Sequence, residues 1–141
     1  MSQEAFARAI PIVEAWLTEH VHAFDTLIKS DTYSLWVYER DARTHGSIEL
    51  LDDKELSQRR DSLSFSVALA LPPLRSIEDA KSVLSLNEYL TDATIVMKDF
   101  GEEDEATFSL QRTMPLSELS AATLQESFKR LIETQAFVEE A

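Results

Sequence analysis

No cysteine occurs among the 141 residues. Disulfides, thiolate catalysis and cysteine–zinc sites are thereby excluded. Glycine occurs twice, as Gly46 and Gly101, and proline four times. No repeat, low-complexity tract or linker breaks the chain. No apolar run approaches the length needed to span a bilayer. Basic residues are scarce: 13 Lys and Arg against 26 Asp and Glu leave a formal charge of −13. A phosphate-binding surface needs clustered Lys and Arg, so nucleic acid and membrane surfaces are not expected as partners. The first residues, Met1-Ser2-Gln3-Glu4, carry no basic n-region, so no signal peptide is expected and the expected location is cytoplasmic. The remaining composition is ordinary. Hydrophobic residues make up 44%, enough to build one core without staples. A single domain over residues 1–141 is expected.

Hydrophobic spacing assigns the elements. Phe6, Ile10, Val13, Leu17, Val21, Phe24 and Ile28 recur at steps of three and four, which predicts a helix from Ser2 to about Phe24. Pro11 falls inside it, so a kink or a restart is expected there. From Thr32 to Arg40 the pattern alternates, with Tyr33, Leu35 and Val37 on one face and Ser34, Trp36 and Tyr38 on the other. A turn over Asp41 to Gly46 leads to a second strand, Ile48 to Leu51. Leu63 to Leu71 alternates strictly, with Leu63, Phe65, Val67 and Leu69 facing one way and Ser62, Ser64, Ser66 and Ala68 the other. Pro72-Pro73 closes that strand. Ser76 opens a helix reaching about Leu90. Thr94 to Lys98 and Ala106 to Thr113 read as strands joined by an acidic loop, Asp99 to Glu105. Ser120 caps a last helix bearing Leu124, Phe128, Leu131 and Val138. Both glycines fall in predicted hairpin connections, where a positive φ is free of steric cost for Gly. The order α–β–β–β–α–β–β–α predicts an α+β fold: a largely antiparallel five-stranded sheet with three helices.

Candidate chemistry is sparse. His20 and His22 are two residues apart on the predicted helix, so their imidazoles point away from each other and cannot share an ion. Asp99-Phe100-Gly101 matches a kinase tripeptide, but no other part of that signature is present. The acid run Glu102 to Glu105 lacks the ligand spacing of a calcium loop. Arg59-Arg60 is balanced by the acids around it. No serine stands in a nucleophile elbow. No catalytic residue, cofactor or metal is expected. The aromatic pair Trp36 and Tyr38, together with the small side chains of the Ser/Ala face, reads either as a protein-binding surface or as sheet covered by helices of the same chain. Val13, Leu17 and Val21 on the first helix form the second candidate surface.

The element order, the size and the low pI resemble the small acidic type III secretion chaperones and the related YbjN-like proteins. Two local patterns add to this: Leu84-x-x-Asn87 at the end of the middle helix, and Pro115-Leu116-x-x-Leu119 before the last one. The chaperone resemblance implies a homodimer that holds an extended segment of a client protein without doing chemistry. The YbjN-like resemblance implies a regulatory or scaffold protein on the same fold. An enzyme with an unrecognised site around His45 is the third alternative.

Overall fold

Phe6, Ala9, Val13, Trp16 and Leu17 are buried along one stripe, and that stripe makes α1, Ser2–His20. Pro11 sits inside α1 at an exposed position, and the helix runs through it. The lost backbone bond, worth about 3 kcal/mol, is offset by apolar burial on both sides of it. The computed structural model describes residues 2–30, 33–51, 62–70, 77–91, 93–98 and 107–140. After α1 come β1 (Ala23–Lys29), β2 (Tyr33–Glu39), β3 (His45–Leu51) and β4 (Ser62–Ala68). Next come α2 (Ile77–Ser85), which runs on as a 3-10 turn over Leu86–Tyr89, then β5 (Thr94–Lys98) and β6 (Thr107–Pro115). A short 3-10 turn, Leu116–Glu118, leads to α3 (Ala121–Glu140).

The fold is α+β, and the described residues form three α-helices and a sheet of six strands in the order β1-β2-β3-β4-β6-β5, every neighbouring pair antiparallel. The five-strand expectation is corrected by β1. Val21, Phe24 and Ile28 fit a helical stripe, yet α1 stops at His20 and the next residues pair with β2. A register shift between Thr26 and Ile28 leaves Leu27 unpaired. This bulge breaks the strict alternation by which a strand is recognised. The spacing thus suits either structure, and pairing to β2 decides it.

One sheet face carries Trp36, Tyr38, Ile48, Leu50, Leu63, Phe65, Val67, Leu110 and Ile95, all buried. α1 and α3 cover it. The rings of Trp16 and Phe65 meet edge-on at 5.2 Å, and Phe128 of α3 stacks on Phe65 at 5.5 Å. The indole Nε1–H of Trp16 donates to Gln125 Oε1 at 3.0 Å, tying the two helices together. α3 follows its predicted stripe, with Leu124, Phe128, Leu131 and Val138 buried. Its N-terminus is capped reciprocally: Thr123 N–H donates to Ser120 Oγ at 3.1 Å, and Ser120 N–H to Thr123 Oγ1 at 2.7 Å.

Gly46 belongs to β3 rather than to a turn. It faces the point where the Tyr38 hydroxyl crosses β3 to donate to the Ser66 carbonyl of β4 at 2.7 Å. A Cβ on Gly46 would run into that carbonyl and stand 2.7 Å from Tyr38 Oη. Close approach, not a left-handed turn, explains the glycine. The expected Ser76 cap, the Asp99 to Glu105 loop with Gly101, and Arg59-Arg60 lie outside the described residues.

Candidate functional site on the open sheet face

The second face of the sheet carries no helix among the described residues. Register places Ile28, Leu35 and Glu49 side by side on it, with Tyr33 beside Leu51. Ile28 is 45% exposed and Leu51 36%, while Tyr33, Leu35 and Val37 are half-buried. None of these five belongs to the core cluster or packs against it. Glu49 stands among them and accepts a hydrogen bond from the Tyr33 hydroxyl at 3.1 Å. Partial burial and the Glu49 carboxylate both push the Tyr33 phenol above its ordinary pKa. Toward β4 and β6 the same face turns polar. Ser47 Oγ and Ser66 Oγ lie 2.7 Å apart, Ser64 Oγ and Thr113 Oγ1 3.1 Å apart, and the Gln111 amide donates to Ser64 Oγ. An apolar corner thus adjoins a floor of small hydroxyl side chains. An extended chain could lie close to such a floor.

The side chains singled out from the sequence lie elsewhere. Trp36 is 0% exposed and Tyr38 3%. Alternation correctly put them on one strand face, but it is the helix-covered face, opposite the Ser/Ala face of β4. Of the two readings, cover by the chain's own helices is the one that holds for this pair, which is core. Trp36 Nε1–H donates to Glu14 Oε2 at 3.4 Å, and Lys29 Nζ pairs with Glu14 at 3.3 Å. Val13 and Leu17 are fully buried, and Val21 is half-buried just beyond the end of α1. The missed surface residues, Tyr33, Leu35 and Val37, are the other half of the same alternation. Ile28 was hidden by the bulge.

Burial forces the Tyr38 phenol well above its ordinary pKa, and the nearby Arg40 guanidinium offsets this only in part. The folded chain therefore keeps a proton that the unfolded chain releases. Stability from this group is complete below about pH 10, the ordinary phenol value, and falls as pH climbs from there toward the folded pKa. Between pH 9 and 11, urea titrations should show a decline approaching about 1.4 kcal/mol per pH unit from this group. Tyr38→Phe should flatten that slope. An unchanged slope in the variant would show that Tyr38 titrates freely.

The two sheet edges differ. At β5 the Asn87 side chain takes the place of a neighbouring strand. Ile95 N–H donates to Asn87 Oδ1 at 2.7 Å, and Asn87 Nδ2 donates to the Ile95 carbonyl at 3.2 Å. This gives the Leu84-x-x-Asn87 pattern a physical role. At the other edge β1 carries Leu27, 57% exposed, with no strand outside it among the described residues.

At the β2–β3 end a cavity of about 470 Å³ opens among Arg43, His45, Ser47, Ser66, Phe108 and Ser109. Among the described residues no carboxylate lines it, and His45 itself is exposed. Among the described residues no group of three or more His, Asp or Glu is placed to hold a metal ion. No described helix is long and apolar enough to cross a membrane.

These features define a class: an α+β domain whose antiparallel sheet is packed by helices on one face and, among the described residues, carries none on the other. No family model matches the chain, and no curated protein matches it.

Proposed function

We propose that the chain is a non-enzymatic protein-binding module that holds an extended segment of a client polypeptide, as the resemblance to type III secretion chaperones implies, and that it acts as a homodimer. One observation carries the reading. The apolar corner Ile28, Tyr33, Leu35, Val37 and Leu51 stands outside the core on a face that carries no helix among the described residues. Contiguous apolar surface of this kind marks an interaction site more often than it marks solvent-facing sheet. The client segment is apolar or basic, because a charge of −13 repels acidic partners and speeds encounter with basic ones.

A labelled peptide of alternating leucine and lysine should bind the purified protein in a fluorescence-anisotropy titration, more weakly at high salt. Ile28→Asp should reduce the affinity about tenfold or more, since burying an isoleucine side chain is worth about 1.5–3 kcal/mol. Ile28 is exposed, so the variant should keep its circular dichroism spectrum. Light scattering should return twice the 16.0 kDa of one chain. Peptide affinity that is absent, or indifferent to Ile28→Asp, would overturn the site.

A further inference from the structure

Tyr89, on the 3-10 turn after α2, is 71% exposed, and Phe137 of α3 is 50% exposed. They flank a cavity of about 220 Å³ that Leu90, Thr91, Glu133 and Thr134 complete. The two rings do not stack on each other, nor on any other described ring. Glu133 lies one helical turn before Phe137 and forms no ion pair or hydrogen bond among the described residues. Two exposed rings and a carboxylate without an ion pair among the described residues thus line the same small volume. That combination attracts an organic cation and has nothing to offer an anion.

We propose that Tyr89, Phe137 and Glu133 form a binding site for one arginine side chain of the client polypeptide. The inference rests on the client-binding reading and adds a chemically specific subsite to it. Arginine suits the site better than lysine for three reasons. Its planar guanidinium lies flat on an aromatic ring. Its forked donors match a carboxylate. It also sheds water more readily than the compact ammonium does. The cavity is large enough for a guanidinium and part of its alkyl stem, and Leu90 supplies an apolar wall for that stem. The chain's charge of −13 adds a long-range attraction for any cation.

The test uses N-acetyl-arginine amide and its neutral isostere N-acetyl-citrulline amide, followed by amide NMR shifts on the full chain. The arginine compound should move resonances of residues 89–91 and 133–137, and the citrulline compound should bind about tenfold more weakly. Glu133→Gln should cost about tenfold, and Tyr89→Ala or Phe137→Ala about threefold each. All three are surface changes, so an unchanged spectrum elsewhere confirms the fold. Equal binding of the two compounds, shifts confined to other residues, or no shift at all would overturn the site. A leucine–lysine peptide carrying one arginine on a flexible linker long enough to pass round the sheet should bind about tenfold more tightly than its citrulline version, and equal affinities would remove the client as the source of the cation. If that peptide binds through Ile28 while the arginine compound moves nothing, the client reading stands and the arginine site falls. If the arginine compound binds while no peptide does, the client reading falls.

Discussion

Phe65→Ala should lower the unfolding free energy by about 3–5 kcal/mol, the cost of losing a buried ring and leaving a cavity. The ring is fully buried on β4, a central strand of the sheet. It touches Trp16 of α1 at 5.2 Å, Tyr38 of β2 at 5.8 Å and Phe128 of α3 at 5.5 Å. Four rings from four elements therefore depend on one position, and the surrounding backbone, held by sheet pairing, cannot collapse far into the space. Chemical denaturation followed by tryptophan fluorescence measures the change, because Trp16 reports directly on this cluster. A loss under about 1 kcal/mol would show that the helices do not converge on Phe65.

Gly46→Ala should cost about 3 kcal/mol, at the top of the range for overpacking. A single methyl group has this effect because the obstacle is backbone. The added carbon meets the Ser66 carbonyl on the paired strand and the Tyr38 hydroxyl that is bonded to it. Relief requires β3 and β4 to separate or Tyr38 to leave its acceptor, and either breaks buried hydrogen bonding. In a Tyr38→Phe background one of the two obstacles is gone, so the penalty should shrink. The double-mutant cycle thus has a sign as well as a size. A near-neutral Gly46→Ala in the wild-type background would place Gly46 away from β4.

What could be read from the sequence follows from which patterns have one solution. β4 alternates large apolar residues with Ser and Ala, so its covered face is unambiguous, and Phe65 and Val67 point inward as expected. α3 has a single stripe and a Ser120 cap, and both are where the spacing puts them. β2 is apolar on both faces. Alternation pairs Trp36 with Tyr38, but only the positions of α1 and α3 decide that this face is inside. Assigning binding to the larger aromatics chose the wrong half. β1 was lost because a bulge at Leu27 converts a period of two into spacings that a helix also satisfies. Gly46 was taken for a turn residue because a glycine near polar residues has two explanations, and the close approach of a carbonyl from another strand is invisible along the chain. The candidate arginine site had no local signal at all. Tyr89 and Phe137 are far apart in sequence and line one cavity only in the folded chain.

The side-chain amide of Asn87 sets how many neighbours this sheet can accept through its edges. An endless stack of sheets needs two free margins per molecule, one to offer and one to receive. Here the margin at Ile95 is already occupied by the chain's own amide. Among the described residues, β1 is the edge without such an amide. A molecule with one adhesive margin can join only one other, and when that other is identical the contact closes on a two-fold axis. Pairing through β1 then closes at two chains, and a longer stack would first have to displace the Asn87 amide from Ile95. Removing the amide would give each molecule a second margin and turn a terminating contact into a repeating one.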